Sequence, residues 1–177
     1  MHSAKIRNVV LAAIALMGLS MCYATAASKA PEPVRSVDPS RLFKGTWLEI
    51  ARRPMWITDG CVAGTTSYAR KTPRLVDVVD ACHQGIPTGR LRSISGAGTL
   101  DPKTHAKLHV RYGFFISRDY WIIDHDPNYQ WFIEASPDFK DAWIFTRKVP
   151  SKKLLQKLVR RVEALGYDTN KFEYPAP

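Results

Sequence analysis

The chain has 177 residues, 45% of them apolar, which is enough for one domain with a sizeable core and too little for two comfortable ones. Its 26 Lys and Arg against 16 Asp and Glu give a net charge of +10, a bias towards anionic surfaces such as phospholipid headgroups. No helix-turn-helix, zinc or RNA-binding signature accompanies that charge, so no nucleic-acid partner is expected.

Residues 1–26 read as a secretory signal. Lys5 and Arg7 make a positive start, Val9 to Leu19 is an eleven-residue apolar run, and Ala24-Thr25-Ala26 offers a small-residue cleavage site. Eleven residues are too few to cross the ~30 Å hydrocarbon core of a bilayer. Export to a periplasmic location follows. Leu19-Ser20-Met21-Cys22 also resembles a bacterial lipobox, with Met21 where that pattern wants a small residue. Cys22 is therefore a candidate lipid-attachment site that would tether the protein to the outer membrane.

Residues 27–36, with Pro31 and Pro33, show no apolar periodicity and read as a flexible leader. In Val37-Asp38-Pro39-Ser40, Asp38 is placed as an N-cap and Pro39 as the first residue of a short helical turn. Gly45 to Arg52 then alternates as a strand: Trp47, Glu49 and Ala51 share one face, Leu48 and Ile50 the other. Apolar residues on both faces call for cover on both sides. Pro54-Met55-Trp56-Ile57 is an apolar loop suited to a lid.

Seven further short strands are expected at 62–69, 75–82, 91–100, 106–112, 120–125, 130–135 and 142–147, separated by Pro-, Gly- and Asp-containing turns. Hairpin-length links favour an up-and-down antiparallel arrangement. Cys61 and Cys82 are the cysteines left once the signal is removed, and an even pair in an oxidising compartment is expected to form a disulfide. After Pro150 the period changes: Ser151 caps a helix with Leu154, Leu155, Leu158, Val159, Val162 and Leu165 on one face, and Gly166 stops it. That stripe is expected to pack against the outside of the strands, covering Leu48 and Ile50.

Three stretches, in order, resemble the lipocalin family, and specifically its bacterial outer-membrane branch. They are Gly45-Thr46-Trp47 after the short helical turn, the Asp126-Pro127-Asn128-Tyr129 turn after Tyr120-Trp121-Ile122-Ile123, and Trp143-Ile144-Phe145-Thr146-Arg147 before the final helix. The resemblance places a lipocalin domain over residues 37–177. It implies an all-β, eight-stranded antiparallel barrel closed at one end, with a helix packed outside. Gly45, Trp47, Asp126, Tyr129 and Arg147 would form the closed end, with Arg147 lying across Trp47. That contact is structural, so the most recognisable residues support the site without touching a ligand.

Side-chain parity then selects a lining for the barrel. Leu108, Val110 and Tyr112 share the face opposite Lys107, His109 and Arg111. On the assumption that Glu134 prefers water, Trp131, Ile133 and Ala135 turn inward. Trp143 and Phe145 share a face with Arg147, Trp121 is taken as inward, and Glu49 and Ala51 continue the Trp47 face. The lining so read is aromatic and aliphatic, with Glu49 and Tyr112 able to orient a polar head and with an arginine partner expected for Glu49. It points to a carrier or store for small hydrophobic ligands such as fatty acids or lysophospholipids. The competing reading is an isomerase or de-epoxidase on the same scaffold. No nucleophile, metal or cofactor pattern supports it, since His105 and His109 lie ~13 Å apart along an extended strand.

Overall fold

The computed structural model describes residues 32–176. The signal segment, its cleavage site and Cys22 lie outside the described residues. The elements follow the expected order. A short helix α1 (Pro39–Leu42) leads into β1 (Gly45–Arg52), β2 (Cys61–Arg70), β3 (Leu75–Gln84), β4 (Leu91–Leu100), β5 (Lys107–Tyr112), β6 (Ile116–His125), β7 (Trp131–Ala135) and β8 (Ala142–Thr146). Helix α2 (Lys152–Ala164) follows β8, and a single 3-10 turn at Thr169–Lys171 comes after it. Each strand pairs antiparallel with the next, and β1 pairs with β8, so the sheet closes into an eight-stranded up-and-down barrel.

Local chemistry sets the ends of the helices. Asp38 accepts a hydrogen bond from the Ser40 amide at 2.8 Å, and Pro39 opens α1, where a missing N–H costs nothing. Ser151 accepts from the Leu154 amide at 3.2 Å to start α2, and Gly166 takes φ +94° just beyond its end.

The wall separates two apolar clusters. The inner one gathers Leu42, Phe43, Trp47, Phe132, Phe145 and neighbours inside the barrel. The outer one sandwiches Ile50, Ile123, Ile133 and Ile144 against Leu158 and Val162 of α2, as the two-faced β1 demands. Cys61 and Cys82 form a disulfide between β2 and β3.

The structure departs from the sequence reading in three places. The end of the expected leader is tied down: the Val34 amide donates to the Ile122 carbonyl at 2.9 Å, and its side chain packs against the inner cluster. Strand β6 begins at Ile116, because Ile116, Ser117 and Arg118 pair with the upper end of β5 through backbone bonds that ignore their polarity. The ladders are also interrupted, between Glu49 and Ala51 of β1 and between Ile122 and Asp124 of β6. A bulge shifts the period by one residue, so parity cannot be carried across it.

Candidate functional site

The closed end is built on β1. Trp47 is fully buried and its indole N–H donates to the Leu42 carbonyl at 2.9 Å. The Arg147 guanidinium lies over that ring, 3.4 Å from the centroid, and donates to the carbonyls of Thr46 and Arg41, both at 3.0 Å. Burial pushes its pKa down, so the carbonyls and the ring face stand in for the water it has lost. Gly45 adopts φ +66° beside this guanidinium. Asp126 accepts from the amides of Asn128 and Gln130 to hold the β6–β7 turn, and the Tyr129 hydroxyl accepts from the Asp38 amide at 2.7 Å. The end is corked by backbone-directed bonds.

Above this floor the barrel holds a cavity of about 430 Å³, within the usual range for a small-ligand site. Leu108, Val110, Tyr112, Trp143, Phe145 and Glu49 line it. Five residues expected there do not. Ala51, Trp121, Trp131 and Ile133, with Ala135 on the same face of β7 as Ile133, lie on the outer face, packed in or against the cluster under α2. For Ala51 the cause is the bulge, which brings Arg52 to the inside in its place. For Trp121, Trp131, Ile133 and Ala135 the cause is α2. A wall covered by a helix is apolar on both faces, so apolar character no longer marks the inside. The Lys107 ammonium sits 4.5 Å from the Trp121 ring, and the Arg161 guanidinium faces Trp131.

The inner face of β7 belongs to Phe132 and Glu134, and Glu134 is only 4% exposed. Tyr68, Asp80 and Tyr120 join it in the lining, together with Arg92 and Arg118 nearer the mouth. The sequence marked none of these. The alternation Val76, Val78, Asp80 along β3 could have pointed to Asp80, since an acidic residue in an apolar register is a signal in itself.

The lining is therefore apolar with an acidic interior. Asp80 accepts from the Thr66 hydroxyl at 2.7 Å and from the Tyr112 hydroxyl at 2.6 Å. Glu134 accepts from the Tyr68 hydroxyl at 3.2 Å. Burial raises the Asp80 pKa in spite of its two donors. Burial pushes Glu134 up to about 8, and the neighbouring charges of Asp80 and Glu49 add to the rise. Tyr68, Tyr112 and Tyr120 are all raised, chiefly by burial, so they remain hydroxyl donors. Glu49 forms an ion pair with Arg52, the arginine that sequence alone left unidentified. Arg52 also pairs with Glu173 and donates to the Cys61 carbonyl at 2.9 Å.

The open end is ringed by exposed apolar side chains. Trp56 is 84%, Phe114 92% and Phe115 97% exposed, and Ile86 stands out from the β3–β4 loop. His109 points away from the cavity and bonds to Asp119 at 2.8 Å on the surface.

Residues 37–177 match the family model of the lipocalin-like domain. The lipocalin-like protein R877 of Acanthamoeba polyphaga mimivirus is 33% identical over 147 residues, covering 76% of this chain and 82% of that protein. Temperature-induced lipocalin-1 of Arabidopsis thaliana is 27% identical over 153 residues, 81% of each chain. Among solved structures, insecticyanin of the tobacco hornworm Manduca sexta superposes with a TM-score of 0.62 at 19% identity, covering 84% of this chain and 86% of that one. The three sequence stretches, the closed barrel with its corked floor and these matches agree: the chain belongs to the lipocalin family.

Proposed function

We propose that the protein binds small hydrophobic ligands in its barrel and carries or stores them in the bacterial cell envelope. The observation that carries this reading is the cavity itself, a largely apolar space of about 430 Å³ closed by Trp47 and Arg147 and open at the other end. Burial of ligand surface against Leu108, Val110, Trp143 and Phe145 supplies the affinity, at ~25 cal/mol per Å². Fatty acids and lysophospholipids fit this description if their anionic groups stay at the mouth, near Arg92 and Arg118, because the interior already holds three carboxyl groups.

The signal pattern in residues 1–26 supports export, either to the periplasm or to the outer membrane through lipid on Cys22. The exposed Trp56, Phe114 and Phe115, on a chain with more basic than acidic side chains, support transient contact of the open end with an anionic membrane. Titration with a series of acyl amphiphiles, followed by tryptophan fluorescence and native mass spectrometry, tests the binding reading. Saturable one-to-one binding is expected. Absence of saturation with every member would remove it.

One observation favours a second reading, lipocalin-fold enzymology of the isomerase or de-epoxidase type on an apolar substrate. The short Tyr112–Asp80 contact at 2.6 Å places an acid–base pair inside the cavity. Ligand recovered chemically unaltered after prolonged incubation supports the carrier; a converted product supports the enzyme.

A further inference from the structure

Asp80 and Glu134 share an apolar cavity and neither forms an ion pair among the described residues. The cations that line the same space are engaged elsewhere or lie at its edge. Arg52 is held by Glu49 and Glu173, Arg92 donates to Gln84 at 2.8 Å and to the Ile57 carbonyl at 3.0 Å, and Arg118 is exposed at the mouth. The two carboxyls differ in how they are satisfied. Both oxygens of Asp80 accept hydrogen bonds, from Thr66 and Tyr112. Glu134, 4% exposed, accepts one bond through Oε2, and Oε1 accepts none among the described residues.

A buried carboxyl with an idle oxygen and no counter-charge is costly as an anion, so it keeps a proton or takes up a cation. Aromatic rings stand close by. Trp143 is the register partner of Glu134 on β8, and it packs edge-on against Tyr120 with centroids 5.5 Å apart. An acceptor oxygen beside aromatic rings is the arrangement that recognises an ammonium group.

We propose that the cavity selects amphiphiles whose buried end is a protonated primary amine, seated on Glu134 beside Trp143 with the alkyl body against Val110, Leu108 and Phe145. This rests on the reading of the cavity as a ligand site and names the class of ligand it prefers. The amine supplies the positive charge that no side chain gives Glu134, and its N–H groups reach the idle oxygen. A carboxylate in the same seat would offer Glu134 and Asp80 no counter-charge and would add another acidic group to the space that already holds theirs. An alcohol would donate one bond and bring no charge.

The test uses dodecylamine, dodecanol and dodecanoic acid, which share one alkyl length and differ only in the head. Each is titrated below its micellar or solubility limit at near-neutral pH into the exported form of the protein and into Glu134→Gln, with tryptophan quenching and native mass spectrometry as readouts. In the unsubstituted protein the amine is expected to bind about tenfold more tightly than the alcohol, with the acid weakest. Glu134→Gln should erase that preference, bringing the amine's affinity to that of dodecanol in the same variant. Asp80→Asn, at a carboxyl already satisfied by two donors, should reduce the preference less, and Glu134→Met takes the place of Glu134→Gln if the latter loses its near-ultraviolet circular dichroism. Acid binding as tightly as amine overturns the proposal while leaving the hydrophobic-carrier reading intact, as does an amine preference that survives replacement of Glu134. Failure of all three ligands to bind removes both.

Discussion

Glu134 retains its proton to about 8 inside the barrel, chiefly because burial disfavours its anion, whereas an unfolded glutamate releases its proton near ~4.3. Between those values the folded state binds more protons than the unfolded one. Stability must therefore fall as pH rises through that window, by at most ~1.4 kcal/mol per pH unit from this residue. Glu134→Gln keeps the hydrogen-bonding shape and removes the titration. Its stability relative to the unsubstituted protein, measured by urea unfolding, should climb steadily from pH ~5 to ~8. An offset constant with pH would contradict the assignment. Arg147 acts by contact and not by titration: it covers Trp47 and satisfies two carbonyls. Arg147→Ala should cost roughly 2–4 kcal/mol in the same assay. Arg147→Lys should restore little, because an ammonium cannot lie flat on the indole while reaching both carbonyls.

At the scale of the strand, glycine sets how far the side chains of β4 and β5 can approach. A Cβ built on Gly96 would lie 2.6 Å from Val110 Cγ1 and 2.9 Å from Tyr112 Cδ1, both closer than real atoms come. Gly96→Ala should displace the Tyr112 ring from Asp80 and destabilise the barrel by ~1–3 kcal/mol, read as a lowered thermal midpoint. An unchanged midpoint would mean that the strands separate without cost. The number and order of strands, the caps of α1 and α2 and the floor of the barrel were all legible in the sequence. Turn residues and capping residues carry local signals, and the Trp47–Arg147 contact of the floor came through the resemblance to the lipocalin family. The inner face of β5 was legible for a related reason: Leu108, Val110 and Tyr112 alternate with Lys107, His109 and Arg111, which face outward where no helix covers them. On β6 and β7 the same rule failed. Trp121, Trp131 and Ile133 are apolar because α2 lies over them, and Glu134 is polar although it faces inward. No residue type announces the bulge at Glu49 and Ala51, so the exchange of Ala51 for Arg52 on the inner face was beyond reach.

Across the whole molecule, the Cys61–Cys82 disulfide closes a loop spanning 21 positions and joins β2 to β3, strands that are already paired. Its contribution is then mainly to restrict the unfolded chain. Reduction should lower stability by about 3 kcal/mol while leaving the far-ultraviolet spectrum and ligand binding in place. Loss of binding on reduction would mean instead that the bond shapes the mouth, where Arg52 reaches the Cys61 carbonyl.

The cork of indole and guanidinium gives the barrel a single doorway. A ligand leaves by the route it took in, and an incoming molecule cannot displace it from behind. Exchange must then pass through the empty protein, so the rate at which a bound fluorescent ligand is chased out should not depend on how much chaser is added.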